Sequence, residues 1–481
     1  MNHSMIRYVL CRLLSVMGYL MVLPLFVALM YREYDSAQDF LMLIAICLIV
    51  GYVGSRYKPK NTVIYAKEGF TITAVAWIIM SILGAVPFVL TDAIPNFVDA
   101  MFETVSGFTT TGGSILTTVE GMEKSVQFWR TFTHWIGGMG VLVFLIAVVP
   151  MADGYSMHLM RAESPGPVVG KIVPKVKDTA KILYLIYCAI TVVEIILLKL
   201  TGLTLYEAVT LSFSTVGTGG FAVTDSGIGG YSFATQSVIT IFMALCGVNF
   251  TVYYFLINKK PKEAFAIDEV KYYLGTIVVA SLLIGINIFR AGIQDSFGMS
   301  LHHALFTVTS IMTTTGFGTL DFDKWPMFSK VSLCVLSLIG ACAGSTGGGF
   351  KFSRVLIVLR NVRNELNFVV HPKAVKRVFM DGHPVAGTTV KSVSAYLGIY
   401  VATLIVSVIL VSLDNFDFQT TVTSVIATLN NIGPGLGMVG TTGNYSQFSA
   451  LSKIVLMFDM LAGRLELLPI FIMLKPRTWR S

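Results

Sequence analysis

Charge is what this chain has least of. Only 13% of its 481 residues are Asp, Glu, Lys or Arg, against about 25% in a typical soluble domain. With 54% hydrophobic residues and a mean hydropathy of +0.73, that shortage excludes a soluble globular protein and points to a membrane protein in contact with lipid. Cysteine is scarce as well. Cys11, Cys47, Cys188, Cys246, Cys334 and Cys342 all lie in apolar stretches and none has CxxC spacing. They read as small buried hydrophobes, which excludes a disulfide framework and a thiolate metal site. No G-x-x-x-x-G-K-[ST] phosphate loop is present, so the chain is not its own ATPase. No small-residue cleavage site follows the first apolar run, which ends at Met30, so a retained first helix is expected there and not a removed signal peptide. No nucleophile–base arrangement stands out, and no enzyme is expected. His134 and the His302–His303 pair lack the carboxylate or Cys neighbours of a metal site or proton relay, and read as core or interfacial histidines.

What the chain does have is apolar runs near the roughly 20-residue length that spans a bilayer. They fall at 5–31, 38–56, 69–91, 126–150, 181–202, 234–258, 272–291, 328–360, 393–413 and 447–474, about ten spans in all. The net charge of +8 is distributed by side, which argues against nucleic acid as a partner. With the N-terminus in the cytoplasm, most of the 35 Lys and Arg fall inside. These include Arg7, Arg12, Arg56, Lys58, Lys60, Lys67, Arg161, Lys171, Lys175, Lys259, Lys260, Lys262, Lys271, the basic stretch 351–392, Lys475, Arg477 and Arg480. That asymmetry satisfies the positive-inside rule and places both termini in the cytoplasm. Asp92, Asp99, Glu103, Glu120, Glu123, Asp225, Asp321, Asp323, Asp414 and Asp417 fall on the other side. An acidic outer mouth raises the local cation concentration.

One pattern occurs four times, each copy between two apolar runs: AMFETVSGFTTTG (100–112), AVTLSFSTVGTGG (208–220), ALFTVTSIMTTTG (304–316) and TVTSVIATLNNIG (421–433). Aligned on the final glycine, the position six residues upstream holds Ser106, Ser214, Ser310 and Ala427, and the position two upstream holds Thr110, Thr218, Thr314 and Asn431. Each copy reads as a short helix leading into an extended Thr/Gly stretch. These segments are too short to span, so each enters and leaves on one side, where non-helical backbone is tolerated only if buried or lining water. Four such stretches around one axis would make a ring of carbonyl oxygens able to replace an ion's hydration shell. The candidate metal-ion (filter) residues are Thr110, Thr111, Gly112, Thr218, Gly219, Gly220, Thr314, Thr315, Gly316, Asn431, Ile432 and Gly433. Thr and Asn at the first position offer a side-chain oxygen too. The short helices would turn their partly negative C-terminal ends toward the ion.

Two further features break the equivalence of the copies. GACAGSTGGGF (340–350) interrupts the run at 328–360, in the third repeat only. Gly344, Ser345, Thr346, Gly347, Gly348 and Gly349 make poor helix, so the run reads as a loop under the filter that obstructs the path, or else as a plain kink. Arg464 is a charge inside the last apolar run, which by default marks a functional site. Either it faces the ion path and repels a bound cation, or it is a structural ion pair with Asp459, Glu466 or Glu194. Lys351 follows the glycine run and is expected near the same path.

The order of four helix–loop–helix repeats, together with SGFTTTGG, TGGF (218–221), TTTGFGT, TLNNIGPGLG, GACAGSTGGG, GRLE (463–466), RAESPGP (161–167) and the Val370-His371-Pro372 region, resembles the Trk/Ktr/HKT superfamily of cation transporters over essentially the whole chain. The resemblance implies an all-α integral membrane protein with pseudo-fourfold pore repeats at 58–160, 161–262, 263–370 (with the gate loop) and 371–481, after a two-helix addition at 1–57. It implies K⁺ selectivity, with Rb⁺ close, because Gly112, Gly220, Gly316 and Gly433 are all glycine; some relatives with serine in the first repeat prefer Na⁺. It also implies a homodimer in the bacterial inner membrane, a cytosolic TrkA-like regulatory ring that binds nucleotide, and no organic cofactor on this chain. The glycine run and Arg464 correspond to that superfamily's gate and barrier. The function expected is channel-like K⁺ uptake. The alternatives are symport of K⁺ with H⁺ or Na⁺, for which Glu194 and Asp459 are the loose candidates, and a scaffold that passes no ions.

Overall fold

The computed structural model describes residues 1–59, 64–140, 176–373 and 376–475. Lys60, residues 141–150 of the fourth apolar run, Arg161 with the RAESPGP stretch, Lys171, Lys175, Arg477 and Arg480 lie outside the described residues. The rest is built of helices, apart from a small antiparallel hairpin pairing Phe379–Met380 with His383–Pro384.

Among the described residues, six helices are long and apolar enough to cross a membrane: His3–Tyr31, Tyr34–Ser55, Ala66–Leu90, Lys177–Leu200, Asp268–Arg290 and Gly387–Asp414. The first is jointed at Met21. Their outer faces carry exposed Ile49, Val53, Val193, Ile196, Val279 and Ile409. Stripes of that kind in water would need a partner; in a bilayer the lipid covers them. The N-terminal pair packs as closely as its glycines allow. A Cβ on Gly51 would meet the backbone of Cys11 and Ser15 across the interface.

Of the other expected runs, 234–258, 328–360 and 447–474 are made of shorter pieces. The third repeat breaks at its glycine run, between Met327–Ile339 and Phe352–Val370, as the sequence implies. Breaks are not confined to that repeat, which corrects the sequence reading. Phe233–Cys246 and Thr251–Ile257 meet at 97°, and Ala450–Arg464 stops short of Leu468–Leu474. The reason lies in tertiary pairing. Backbone groups freed by a broken helix inside a membrane need partners, and the second and third breaks supply them to each other. The Cys342 N–H donates to the Gly247 carbonyl at 3.1 Å, and the Phe250 N–H donates to the Gly344 carbonyl at 3.0 Å. In the fourth repeat Glu466 and Leu467 take left-handed φ of 59° and 60°, and the Leu467 N–H returns to the Ala462 carbonyl at 2.7 Å.

Candidate functional site

The four copies of the pattern form four short helices, Phe97–Phe108, Leu205–Val216, Phe297–Met312 and Phe418–Leu429. Side chains of Asn96, Thr204 and Asp417 cap three of their N-termini, Thr204 in a capping box with Glu207. Each helix ends four residues before its glycine, and each ends in the same way. The N–H of Thr110, Thr218, Thr314 or Asn431 reaches back three residues to a carbonyl at 3.0–3.1 Å. The next N–H reaches back five residues, to Ser106, Ser214, Ser310 or Ala427, at 2.8–2.9 Å. This is a Schellman cap, built from backbone groups alone. The cap requires a left-handed residue, and Thr110, Thr218, Thr314 and Asn431 have φ of 55–58°. Asparagine suits that conformation. Threonine is β-branched and strained there.

Two residues later each glycine is left-handed again, with φ of 78–90°. A Cβ on Gly112 would collide with the Gly219 carbonyl oxygen, on Gly220 with that of Thr315, on Gly316 with that of Ile432, and on Gly433 with that of Thr111. Each glycine thus abuts the next copy's carbonyl, and the fourth copy returns to the first. The twelve residues singled out in the sequence are brought together at this closed set of contacts. Their side-chain oxygens are largely engaged. The Thr109 and Thr111 hydroxyls pair at 2.8 Å, as do those of Thr313 and Thr315. The Thr218 hydroxyl donates to the Gly217 carbonyl at 2.6 Å, and Asn431 Nδ2 donates to Thr111 Oγ1 at 3.0 Å. The Tyr445 hydroxyl donates to the Gly433 carbonyl at 2.7 Å.

A cavity of about 260 Å³ opens above the four glycines. Of the ten acidic residues expected at the mouth, Asp225 and Asp321 line it. The others are largely committed elsewhere, because a carboxylate next to protein donors is used by them. Asp99 pairs with Lys453 at 2.6 Å, Glu123 accepts from Ser36, and Asp417 caps a helix. Exposed Asp225 accepts from the Thr118 hydroxyl and the Val119 N–H, both at 2.6 Å, and these bonds hold its carboxyl below the usual range.

Glu103 is a correction. It is fully buried and bound to Arg130 at 2.6 Å, itself only 3% exposed. Glu103 also accepts from the Ser114 hydroxyl and the Ile115 N–H, just past the first glycine turn. Arg130 Nη1 donates to the Ala222 carbonyl, just past the second. The pair therefore clamps two neighbouring turns, and neither residue was assigned this role from the sequence. The signal was present, since Arg130 is a charge within an apolar run. His134 behaves as a core histidine. Its Nδ1 donates to the Gly107 carbonyl at 2.7 Å and its Nε2 accepts from the Phe221 N–H at 3.3 Å, which specifies one neutral tautomer.

On the opposite side of the turns lies the interrupted segment 340–351. The Gly348 N–H donates to the Thr314 hydroxyl at 2.6 Å, and a Cβ on Gly347 would meet the Thr313 carbonyl. Buried Lys351 donates to the Gly347 carbonyl. Arg464 donates to the Thr346 carbonyl at 2.8 Å, to Gly138 at 2.7 Å and to Gly137. Its guanidinium thus joins the segment to the end of Lys124–Gly138 from the first repeat. Of the acids considered as partners for it, Glu466 binds Arg354, and Asp459 accepts from the Ser407 hydroxyl at 2.7 Å.

The model of the TrkH family, described as a cation transport protein, matches residues 36–290 and 291–479. The Trk system potassium uptake protein TrkH of Salmonella typhimurium is 34% identical over 469 residues, 96% of each chain. That of Vibrio parahaemolyticus is 33% identical over 480 residues, 98% of each chain. The crystal structure of the potassium transporter TrkH from Vibrio parahaemolyticus superposes with a TM-score of 0.89 at 30% identity, covering all of both chains.

Replacing Arg130 with Met strands the Glu103 carboxylate in the interior and should destabilise the protein by about 3–5 kcal/mol. The double variant Glu103→Gln/Arg130→Met should recover part of that loss. Thermal unfolding in detergent reads both; equal losses in the single and double variants would argue against the pairing.

Proposed function

Since this chain belongs to the TrkH family of cation transport proteins, we propose that it carries K⁺ into a bacterial cell across the inner membrane by a channel-like path. The observation that carries this reading is the closed circuit of four glycine turns, each abutting the next turn's carbonyl oxygen. In this reading Thr110–Gly112, Thr218–Gly220, Thr314–Gly316 and Asn431–Gly433 form a filter at the centre of four pore repeats, 58–160, 161–262, 263–370 and 371–481, within about ten spans. Their carbonyls substitute for water around K⁺ and its near-equal Rb⁺. Membrane potential supplies about 2.3 kcal/mol per charge per 100 mV.

Segment 340–351, Lys351 and Arg464 form the barrier on the cytosolic side. The segment's contact with Thr314 and the bridge from Arg464 to Thr346 support that role, because both hold backbone across the exit from the turns. Exposed Arg363, Lys373, Lys376, Arg377 and Lys391 make a cytosolic surface suited to an acidic or nucleotide-loaded TrkA-like ring. Two copies of the chain form the membrane unit, with both termini in the cytoplasm. Symport is the second reading. It is favoured by Glu194 and Asp459, fully buried carboxyls with no Lys or Arg at ion-pair distance among the described residues.

In proteoliposomes with the regulator present, ⁸⁶Rb⁺ uptake should follow an imposed inside-negative potential without a pH or Na⁺ gradient. A strict need for either gradient would establish symport instead. Gly112→Ser puts a side chain against the Gly219 carbonyl and should cut K⁺-over-Na⁺ discrimination severalfold; unchanged competition by Na⁺ would remove the glycine from the filter. Asp225→Asn should raise the apparent KM for Rb⁺ about two- to threefold at low ionic strength, an effect that salt screens. Because the Asp225 pKa is depressed, the charge and the stability it contributes persist as external pH falls through about 4 and are lost only in stronger acid. A KM that does not respond to salt would count against steering by this residue.

A further inference from the structure

Glu269 sits in the first turn of the helix Asp268–Arg290 and is 4% exposed. One of its carboxylate oxygens accepts two backbone N–H groups, from Ala343 at 2.7 Å and from Ser353 at 2.8 Å. These residues flank the glycine run: Ala343 stands just before Gly344, and Ser353 is the second residue of the helix Phe352–Val370. A single oxygen atom therefore draws together the two ends of the interrupted segment. It also meets a local need. The N-cap of Phe352–Val370 is Lys351, with φ of 80° and no side-chain cap bond. A helix start leaves unpaired N–H groups, and Glu269 supplies an acceptor from a different part of the chain.

The residue beside it faces the cytosolic hairpin. Asp268 Oδ2 pairs with Arg360 at 2.9 Å, and its N–H donates to Asp381 Oδ1 at 2.7 Å, in the turn of Phe379–Met380 and His383–Pro384. Arg360 in turn donates to the Phe379 carbonyl. Consecutive residues of one helical turn thus hold the hairpin on one side and the interrupted segment on the other.

We propose that Glu269 is the positioning residue that latches segment 340–351 in its obstructing conformation, and that Asp268 and Arg360 tie this latch to the hairpin on the cytosolic face. The proposal rests on the reading of that segment as the barrier and names what holds it in place. Losing the acceptor for two buried N–H groups shifts a closed–open balance by about tenfold or more.

The test uses the full chain in proteoliposomes without any regulator, under an inside-negative potential, with ⁸⁶Rb⁺ as the probe and Na⁺ as the competitor. Glu269→Ala and Glu269→Leu remove the acceptor and should raise regulator-independent uptake about tenfold or more, with discrimination against Na⁺ intact. Glu269→Gln keeps an oxygen able to accept both N–H groups and should stay close to the parent. A variant shortened within 344–349 is measured alongside. If shortening leaves uptake unchanged, the barrier reading fails and the latch with it. If shortening raises uptake but Ala and Leu do not, the latch alone is overturned. Raised uptake with discrimination lost would mean a loosened fold, which also overturns it. So would failure of Ala and Leu to accumulate as folded protein while Gln does, since that marks a merely structural role.

Discussion

The constraint on which the rest of the structure depends is steric. At Gly112, Gly220, Gly316 and Gly433 a neighbouring turn's carbonyl oxygen stands where a side chain would be. Backbones brought that close must leave their helices at the right depth, so each short helix stops four residues before its glycine with the same pair of back-bonds. That stop forces a left-handed residue into place. Asn431 adopts it easily, whereas three threonines adopt it under strain; the Thr218 hydroxyl donates to the Gly217 carbonyl and the Thr314 hydroxyl accepts from the Gly348 N–H. Short helices, caps and strained threonines are consequences of one close approach repeated four times.

The surroundings of the four turns are less regular than the turns. Toward the cavity, the first and second turns are clamped by the buried Glu103–Arg130 pair. On the other side, the third and fourth repeats contribute segment 340–351 and Arg464, which bridges back to the first. Buried charges persist only with partners, so each marks a place where two segments must be held together. Selectivity in this reading comes from four near-equal parts, and control comes from the charged side chains that make the repeats unequal.

Much of this was legible in the residues. The four-copy register located the short helices and their turns, and the glycine run at 344–349 located the third-repeat break. The break after Cys246 was not legible. One glycine at 247 does not end an apolar helix; the exchange of hydrogen bonds with Cys342 and Gly344 does, and those lie about a hundred residues away. Glu103 was misassigned for a related reason. A tally of charges by side reports sign but not pairing, so a carboxylate buried against Arg130 counted with the exposed Asp225.

By itself, then, the sequence determined that the chain lives in lipid, that it carries four copies of one turn, and that each copy ends in glycine. These are local properties, set by hydropathy and by backbone conformations that only certain residues tolerate. Tertiary structure decided what the turns and charges face: which carbonyl abuts which glycine, that Arg464 reaches backbone oxygens of two other segments, and that Glu269 gathers both ends of segment 340–351. Hydrogen bonds and carbonyl contacts act over about 3 Å between segments far apart in the chain, and only the folded arrangement brings them within that distance.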